Sequence, residues 1–332
     1  MTDRIAAFIG RRWNVPAEDF RVEVRPLRGG LESTVARALI FPRSRPSALP
    51  AQLVIKTLRA DQAREGAIYE TLWRHLDTPP AIRVLGRDSD GQNTYLFLEH
   101  ARRLSSWPWS NTNHAAAVCR ELARFHERRE LPAEAFAWDY ERELALSAAG
   151  TLAIATTARD AFGNRYWRRL GDLTRVVAAL SQIRERLLTS ETTVLHGDVH
   201  PGNVILRAGR RGARVVLIDW ARARIGSPME DVASWLHALG CWEPEARRRH
   251  DTLIREYLVA RRTPRTFSTD VRAMYWLASA SNGLSGAIRY HLAVLADSAS
   301  APAARYDSHR ALVAWTRVIR RVAALLSTNP GR

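Results

Sequence analysis

Early in the chain Arg21–Arg25 alternates apolar and polar positions with a period of two, and the apolar-rich, β-branched runs Thr34–Phe41 and Gln52–Leu58 read as two further strands. A period of two places successive side chains on opposite faces and predicts a half-buried strand. Between the last two, residues 42–50 hold three prolines and two serines, the composition of a hairpin connection. The period then lengthens. Ile68, Tyr69, Leu72 and Leu76 fall at helical spacing and predict a helix over about 61–76, with Asp61 as its N-cap. Thr94–Leu98 reads as a further strand. Residues 1–98 are therefore expected to form a small lobe, an antiparallel sheet with one long helix. From residue 99 to 332 the spacing is mostly helical, with stripes over 112–129, 172–188 and 228–328. Only two short β runs interrupt it, at 204–206 and 215–218. The expected class is α+β and bilobal: a sheet-based N-lobe, a hinge near 98–102, and a larger, mostly α-helical C-lobe.

Composition changes this picture little. The chain has 332 residues, 46% hydrophobic and 25% charged, which is ordinary for a globular protein of about two domains. Its two cysteines, Cys119 and Cys241, exclude a disulfide framework and read as small buried hydrophobes. The N-terminus shows no secretory pattern. The apolar-leaning charge-free run 144–158 is too short and too polar to span a bilayer, so a cytoplasmic protein without membrane partners is expected. The net charge of +16 would suit a polyanion, but the arginines are scattered and no nucleic-acid module is visible, so nucleic acid is disfavoured as a partner.

One count is more telling. Of 50 basic residues, all but one are arginine; the exception is Lys56. Where positive charge alone suffices, this chain uses arginine. Lys56 therefore marks a place where a compact ammonium is needed and a planar guanidinium does not serve.

The densest cluster of chemistry is His196-Gly197-Asp198-Val199-His200-Pro201-Gly202-Asn203, followed by Leu217-Ile218-Asp219-Trp220. Phosphoryl transfer asks a protein mainly to position groups and neutralise charge. It needs a carboxylate to take the proton of the attacking hydroxyl and oxygen ligands to hold Mg²⁺ against phosphates. Asp198 and Asn203 share one loop at the H-x-D-x-x-x-x-N spacing, and Asp219 follows an apolar strand at a lobe boundary. Asp198 is thus the candidate base, Asn203 and Asp219 are candidate metal ligands, and His196 is a brace for the loop. A polar turn that merely caps backbone groups would look similar in isolation. A transition-metal site at His196, Asp198 and His200 lacks any further ligand cluster.

These motifs resemble those of the aminoglycoside phosphotransferase-like kinases, within the protein-kinase-like fold. The resemblance runs from about residue 20 to 240. It implies a nucleotide-binding turn at Leu27–Ser33, with Gly29, Gly30 and Ser33 over the phosphates of ATP. It implies that Lys56 reaches the α- and β-phosphates and that Glu65, rather than Glu70, pairs with it. Glu99 and His100 would form the hinge whose backbone meets adenine, and Asp231 would brace the catalytic loop. Two departures stand out. Gly197 replaces the arginine of H-R-D, and Trp220 replaces the Phe-Gly after the metal aspartate. Eight residues between Asp219 and Pro228 leave no room for a long activation segment, so phosphate-triggered switching is not expected.

From Val232 to Arg332 there are 15 arginines and 7 acidic residues, a local net of +8. That balance disfavours a polycationic antibiotic. It suits a neutral or anionic small-molecule hydroxyl compound, or alternatively an acidic peptide, with Trp242, Trp276 and Tyr290 as candidates to line the cleft. A nucleotide-binding or partner-docking module without turnover is the reading from another class. The intact set Lys56, Asp198, Asn203 and Asp219 favours the enzyme.

Overall fold

The computed structural model describes residues 1–27, 33–43, 49–59, 64–157, 170–209, 212–262 and 266–328. The expected turn glycines Gly29 and Gly30 and the expected N-cap Asp61 lie outside them. Ser33 lies inside, half-buried in coil just before the second strand.

The N-lobe is a five-stranded antiparallel sheet in the order β1-β2-β3-β5-β4. Its strands are β1 (Phe20–Leu27), β2 (Thr34–Pro42), β3 (Gln52–Arg59), β4 (Val84–Ser89) and β5 (Asn93–Glu99). Alternation along β3 decides what each face holds. Leu53 and Ile55 point to one face, where they join Phe97, Ile5, Phe8 and Ile9 in a small core. Leu58 points to the other, into the main core with Ile68, Tyr69 and Leu72. Lys56 shares the parity of Leu58, so the pleat sends its ammonium to the same face as helix α2 (Arg64–His75).

The N-lobe has two helices, not the single one expected. Helix α1 (Thr2–Trp13) covers the outer face of the sheet, and its Phe8 ring stacks on Phe97 at 3.8 Å. The stripe Ile5, Phe8, Ile9 is the i, i+3, i+4 pattern of a one-sided helix. Strand β4 was also unexpected. Its sequence, Val-Leu-Gly-Arg-Asp-Ser, carries no alternation, and it pairs with β5 across a register shift between Val84 and Gly86.

In the C-lobe, helix α3 (Thr112–Phe125) ends a turn sooner than its pattern suggested, and helix α4 (Tyr140–Thr157) holds most of the charge-free run. The stripe over 172–188 is two helices, α5 (Leu170–Ala178) and α6 (Leu180–Ser190), which part at Ala179. Two short hairpin-like pairs carry the polar loops: β6 (Thr193–Leu195) with β9 (Arg224–Gly226), and β7 (Val204–Gly209) with β8 (Gly212–Leu217). Helices α7 (Pro228–Trp242), α8 (His250–Val259), α9 (Thr269–Asn282), α10 (Ile288–Ala296) and α11 (Pro302–Ser327) complete the lobe. No helix among the described residues is long and apolar enough to cross a membrane.

Candidate active site

The catalytic-loop candidates hang on one buried carboxylate. Asp231, in the first turn of α7, accepts the backbone N–H of His196 through Oδ2 and that of Gly197 through Oδ1, both at 2.8 Å. His126, from the end of α3, adds its Nε2 to Asp231 Oδ2 at 3.1 Å and is itself held by the Tyr257 hydroxyl at 3.0 Å. Burial alone would raise the pKa of this carboxyl; the His126 bond and the neighbouring imidazoles and amides outweigh it and hold the pKa below the ordinary value. Asp231 therefore stays ionised in a fully buried place and fixes the start of the loop.

His196 continues the brace. Its Nε2 donates to the Ile218 carbonyl at 3.0 Å, and its Nδ1 accepts the Asp198 N–H at 3.2 Å. Burial lowers its pKa and keeps the ring neutral. One imidazole thus ties the strand that leads into Asp219 to the backbone of Asp198, with Trp220 packed on its face at 4.6 Å. Gly197 explains its own departure from H-R-D. Its φ is +83°, and a Cβ there would lie 2.1 Å from the Arg222 carbonyl oxygen. Only glycine combines that backbone with that approach.

Asn203 sits at the far end of the loop. Its Nδ2 donates to the Asp198 carbonyl at 3.0 Å and to Asp198 Oδ2 at 3.2 Å. The Asp198 side chain is 41% exposed and the Asp219 side chain 34%, so both carboxylates reach solvent. Asp219 has a left-handed backbone, φ +65°, and its N–H donates to the hydroxyl of Tyr69 on α2 at 3.1 Å. The strained residue re-aims the chain just as it leaves β8.

Lys56 closes the constellation. Its Nζ lies 2.7 Å from Glu65 Oε2 and 2.8 Å from Asp219 Oδ1. Burial alone would lower the lysine's pKa, but Glu65 and Asp219 outweigh it and keep the ammonium charged. The Glu65 carboxyl is fully buried, and desolvation pushes its pKa up to about 7 despite the lysine. Glu70, the alternative partner, instead pairs with Arg87 at the surface. Arg64 adds a second tie between the lobes, donating to the carbonyls of Ala221 and Ala223 just beyond Asp219.

At the hinge, the Glu99 N–H donates to the Arg83 carbonyl at 2.9 Å, and the Glu99 side chain pairs with Arg207 at 2.8 Å. The Glu99 N–H is thus engaged within the N-lobe. Burial and the nearby Arg37 and Arg207 lower the His100 pKa.

The ion-pair support beneath α7 has no signature in the sequence pattern. Glu230 is buried and joins Arg184 at 2.7 Å and Arg224 at 3.1 Å through Oε1. Its Oε2 accepts the Ser227 N–H at 3.1 Å, completing a capping box with Ser227. Arg224 Nη1 reaches the edge of Gly197, so this network packs against the catalytic loop.

Several buried groups make the fold sensitive to acid. Burial draws the pKa of His237 down to about 3, and of His250 and His291 to about 4, and it lowers that of His196 as well. A depressed histidine contributes stability that is present above its unfolded pKa of about 6.5 and is lost as pH falls toward its folded value. Glu65 opposes them with one proton, because its raised carboxyl pKa favours the folded state as pH drops from about 7. Three protons taken up by His237, His250 and His291, less the one released by Glu65, are a net uptake of about two on unfolding, expected to cost about 3 kcal/mol per pH unit between pH 6 and 5. Urea unfolding at pH 7.5, 6 and 5 measures this; a midpoint that stays level across that range contradicts it.

A two-lobed kinase-like phosphotransferase is the class that this architecture and site define. Residues 51–267 match the phosphotransferase enzyme family, and the chain belongs to that family. No curated protein sequence matches it. Solved structures with the same fold include choline kinase from Cryptosporidium parvum Iowa II (TM-score 0.63, 11% identity, covering 98% of this chain and 97% of that one). Spectinomycin phosphotransferase APH(9)-Ia, solved with ADP and spectinomycin, is similar at TM-score 0.58 and 11% identity over 99% of each chain. Aminoglycoside phosphotransferase APH(3'')-Id from Streptomyces rimosus is similar at TM-score 0.53 and 19% identity, covering 85% of this chain and 99% of that one. The chain is an ATP-dependent phosphotransferase that acts on hydroxyl groups.

Proposed function

We propose that this chain transfers the γ-phosphate of ATP to a hydroxyl of a small molecule, in the opening bounded by Lys56, Asp198, Asn203 and Asp219. The observation that carries the reading is the single ammonium of Lys56 between Glu65 and Asp219, which joins the N-lobe sheet, α2 and the loop after β8 at one point. Glu65 positions the lysine, and the lysine supplies a compact positive charge for the α- and β-phosphates. Backbone groups at Glu99 and His100 would meet the adenine, and Ser33 stands at the end of the turn that would cover the phosphates.

Asp198 takes the proton of the acceptor hydroxyl as its oxygen bonds to the γ-phosphorus and the bond to the β-phosphate oxygen breaks, releasing ADP. Asn203 orients that carboxylate through its amide nitrogen, which leaves its amide oxygen as a donor. Asn203 and Asp219 together fit Mg²⁺, a hard cation usually held by one or two carboxylates plus phosphate oxygens rather than by a full protein cage. Bound there, Mg²⁺ would neutralise phosphate charge.

Transfer of label from [γ-³²P]ATP to pooled small hydroxyl compounds tests the reading. The wild-type chain is expected to label an acceptor. Lys56→Met, and equally Lys56→Arg, is expected to lose most of that transfer, because a planar fork does not fit between Glu65 and Asp219. Transfer by either variant at the wild-type rate would contradict the role given to the lysine.

A further inference from the structure

Beside the catalytic loop lies a cleft of about 260 Å³. Trp109 lies at its base, edge-on to Trp235 at 4.9 Å, with Leu206 of β7 beside it. Its walls are Trp107 and Trp242, with ring centres 6.2 Å apart and planes at 63°. Both are open to solvent, at 39% and 61% exposure. An indole N–H bonded to a carboxylate is not free to swing: Trp107 Nε1 donates to Glu243, which holds the ring edge and leaves its face open. His200 forms the end nearest the chemistry. Its Nδ1 accepts the Gly202 N–H at 3.1 Å, and its Nε2 lies 3.7 Å from Asp198 Oδ2. The cleft therefore adjoins the candidate base, with His200 between the two.

We propose that this cleft seats the acceptor, and that the acceptor is a neutral, ring-bearing alcohol: a flat apolar face against Trp107 and Trp242, and a hydroxyl directed past His200 to Asp198. The proposal rests on the phosphotransferase reading and deepens it. Indole faces offer large, rigid apolar area at little entropic cost. Among the described residues that line the cleft, Arg103 carries a fixed positive charge, His200 adds an imidazole, and none is a carboxylate. A polycation would bring several ammonium groups to Arg103, with only the Glu243 carboxylate behind Trp107 and Asp198 beyond His200 at the margins. The volume is below the range of about 300–1,000 Å³ common for drug-sized ligands, and so suits one or two rings. A lone cation could still be drawn to the indole faces, and the test separates that case. Of the other aromatic candidates, Trp276 packs in the helical core against Tyr275, and Tyr290 lies apart from the cleft.

Three probes decide the matter on the full chain: 4-nitrophenyl β-D-glucopyranoside (neutral, ring-bearing), choline (a single cation) and kanamycin (a polycation). Each is titrated by saturation-transfer NMR with and without ADP. The glucoside is expected to bind most tightly, and Trp242→Ala and Trp107→Ala are each expected to weaken it at least about tenfold, the loss of one aromatic contact face. ADP affinity is expected to be unchanged in both variants. Tighter binding of choline or kanamycin, absence of glucoside binding, or unaltered affinity in Trp242→Ala would overturn the proposal. Failure of the wild-type chain to bind ADP would instead strike at the phosphotransferase reading, since the glucoside titration without ADP stands by itself.

Discussion

Asp198→Ala is expected to lower the rate of phosphoryl transfer by about 10²–10⁴-fold, the range general bases contribute, while ATP affinity stays close to that of the wild type. The split follows from the geometry. Asp198 is held from behind by Asn203 Nδ2 and through its own N–H by His196, and neither Lys56 nor Glu65 touches it. Removing its carboxylate deletes the proton acceptor and leaves the lysine with both of its anionic partners. Stopped assays with [γ-³²P]ATP and an acceptor, set beside equilibrium ATP binding, separate the two quantities. A variant that loses binding and turnover together would show that Asp198 builds the nucleotide site rather than acting on the hydroxyl.

Glu230→Ala is expected to destabilise the fold by about 3–5 kcal/mol, the usual result of breaking a buried ion pair by removing one partner. One carboxylate here serves two guanidinium groups, each itself almost fully buried. Without it Arg224 keeps the Tyr140 ring, which its guanidinium faces at 3.8 Å, and Arg184 keeps Glu141 at the surface. The half of the α7 capping box in which Glu230 accepts the Ser227 N–H is lost as well. Arg224 lies against Gly197, so the damage reaches the catalytic loop. Urea unfolding followed by tryptophan fluorescence measures the loss. A change under about 1 kcal/mol, the level of an exposed pair, would mean that water or side-chain movement replaces the network at little cost.

Much of the site was legible because its chemistry is local in sequence. Asp198, Asn203 and His196 lie within eight residues, and their mutual hydrogen bonds need no long-range packing to be anticipated. Lys56 stood out by composition alone, and strand parity then fixed the side to which it points. Glu230 and Arg184 were not legible. They are 46 residues apart, and although Ser227-x-x-Glu230 has the spacing of a capping box, no short motif joins Glu230 to Arg184. Nor did Glu99 reveal that its amide belongs to the sheet, since that depends on where Arg83 ends. In the fold, the hydrophobic pattern served well for β1–β3, α2 and β5. It failed at β4, whose polar residues do not alternate, and at Ala179, where the apolar stripe runs on while the backbone turns. Helix α1 had a readable stripe at Ile5, Phe8 and Ile9, which becomes decisive only once a bare sheet face is known to need a cover.

The most direct test of the arrangement is the Mg²⁺ dependence of ATP binding in the wild type, Asp198→Ala and Asp219→Ala. In the first two, adding Mg²⁺ to metal-free protein is expected to tighten ATP by at least about tenfold, the scale of one charge-assisted contact. In Asp219→Ala that gain is expected to vanish while metal-free ATP binding persists. An undiminished gain in Asp219→Ala would mean that the loop after β8 does not serve the nucleotide that Lys56 holds.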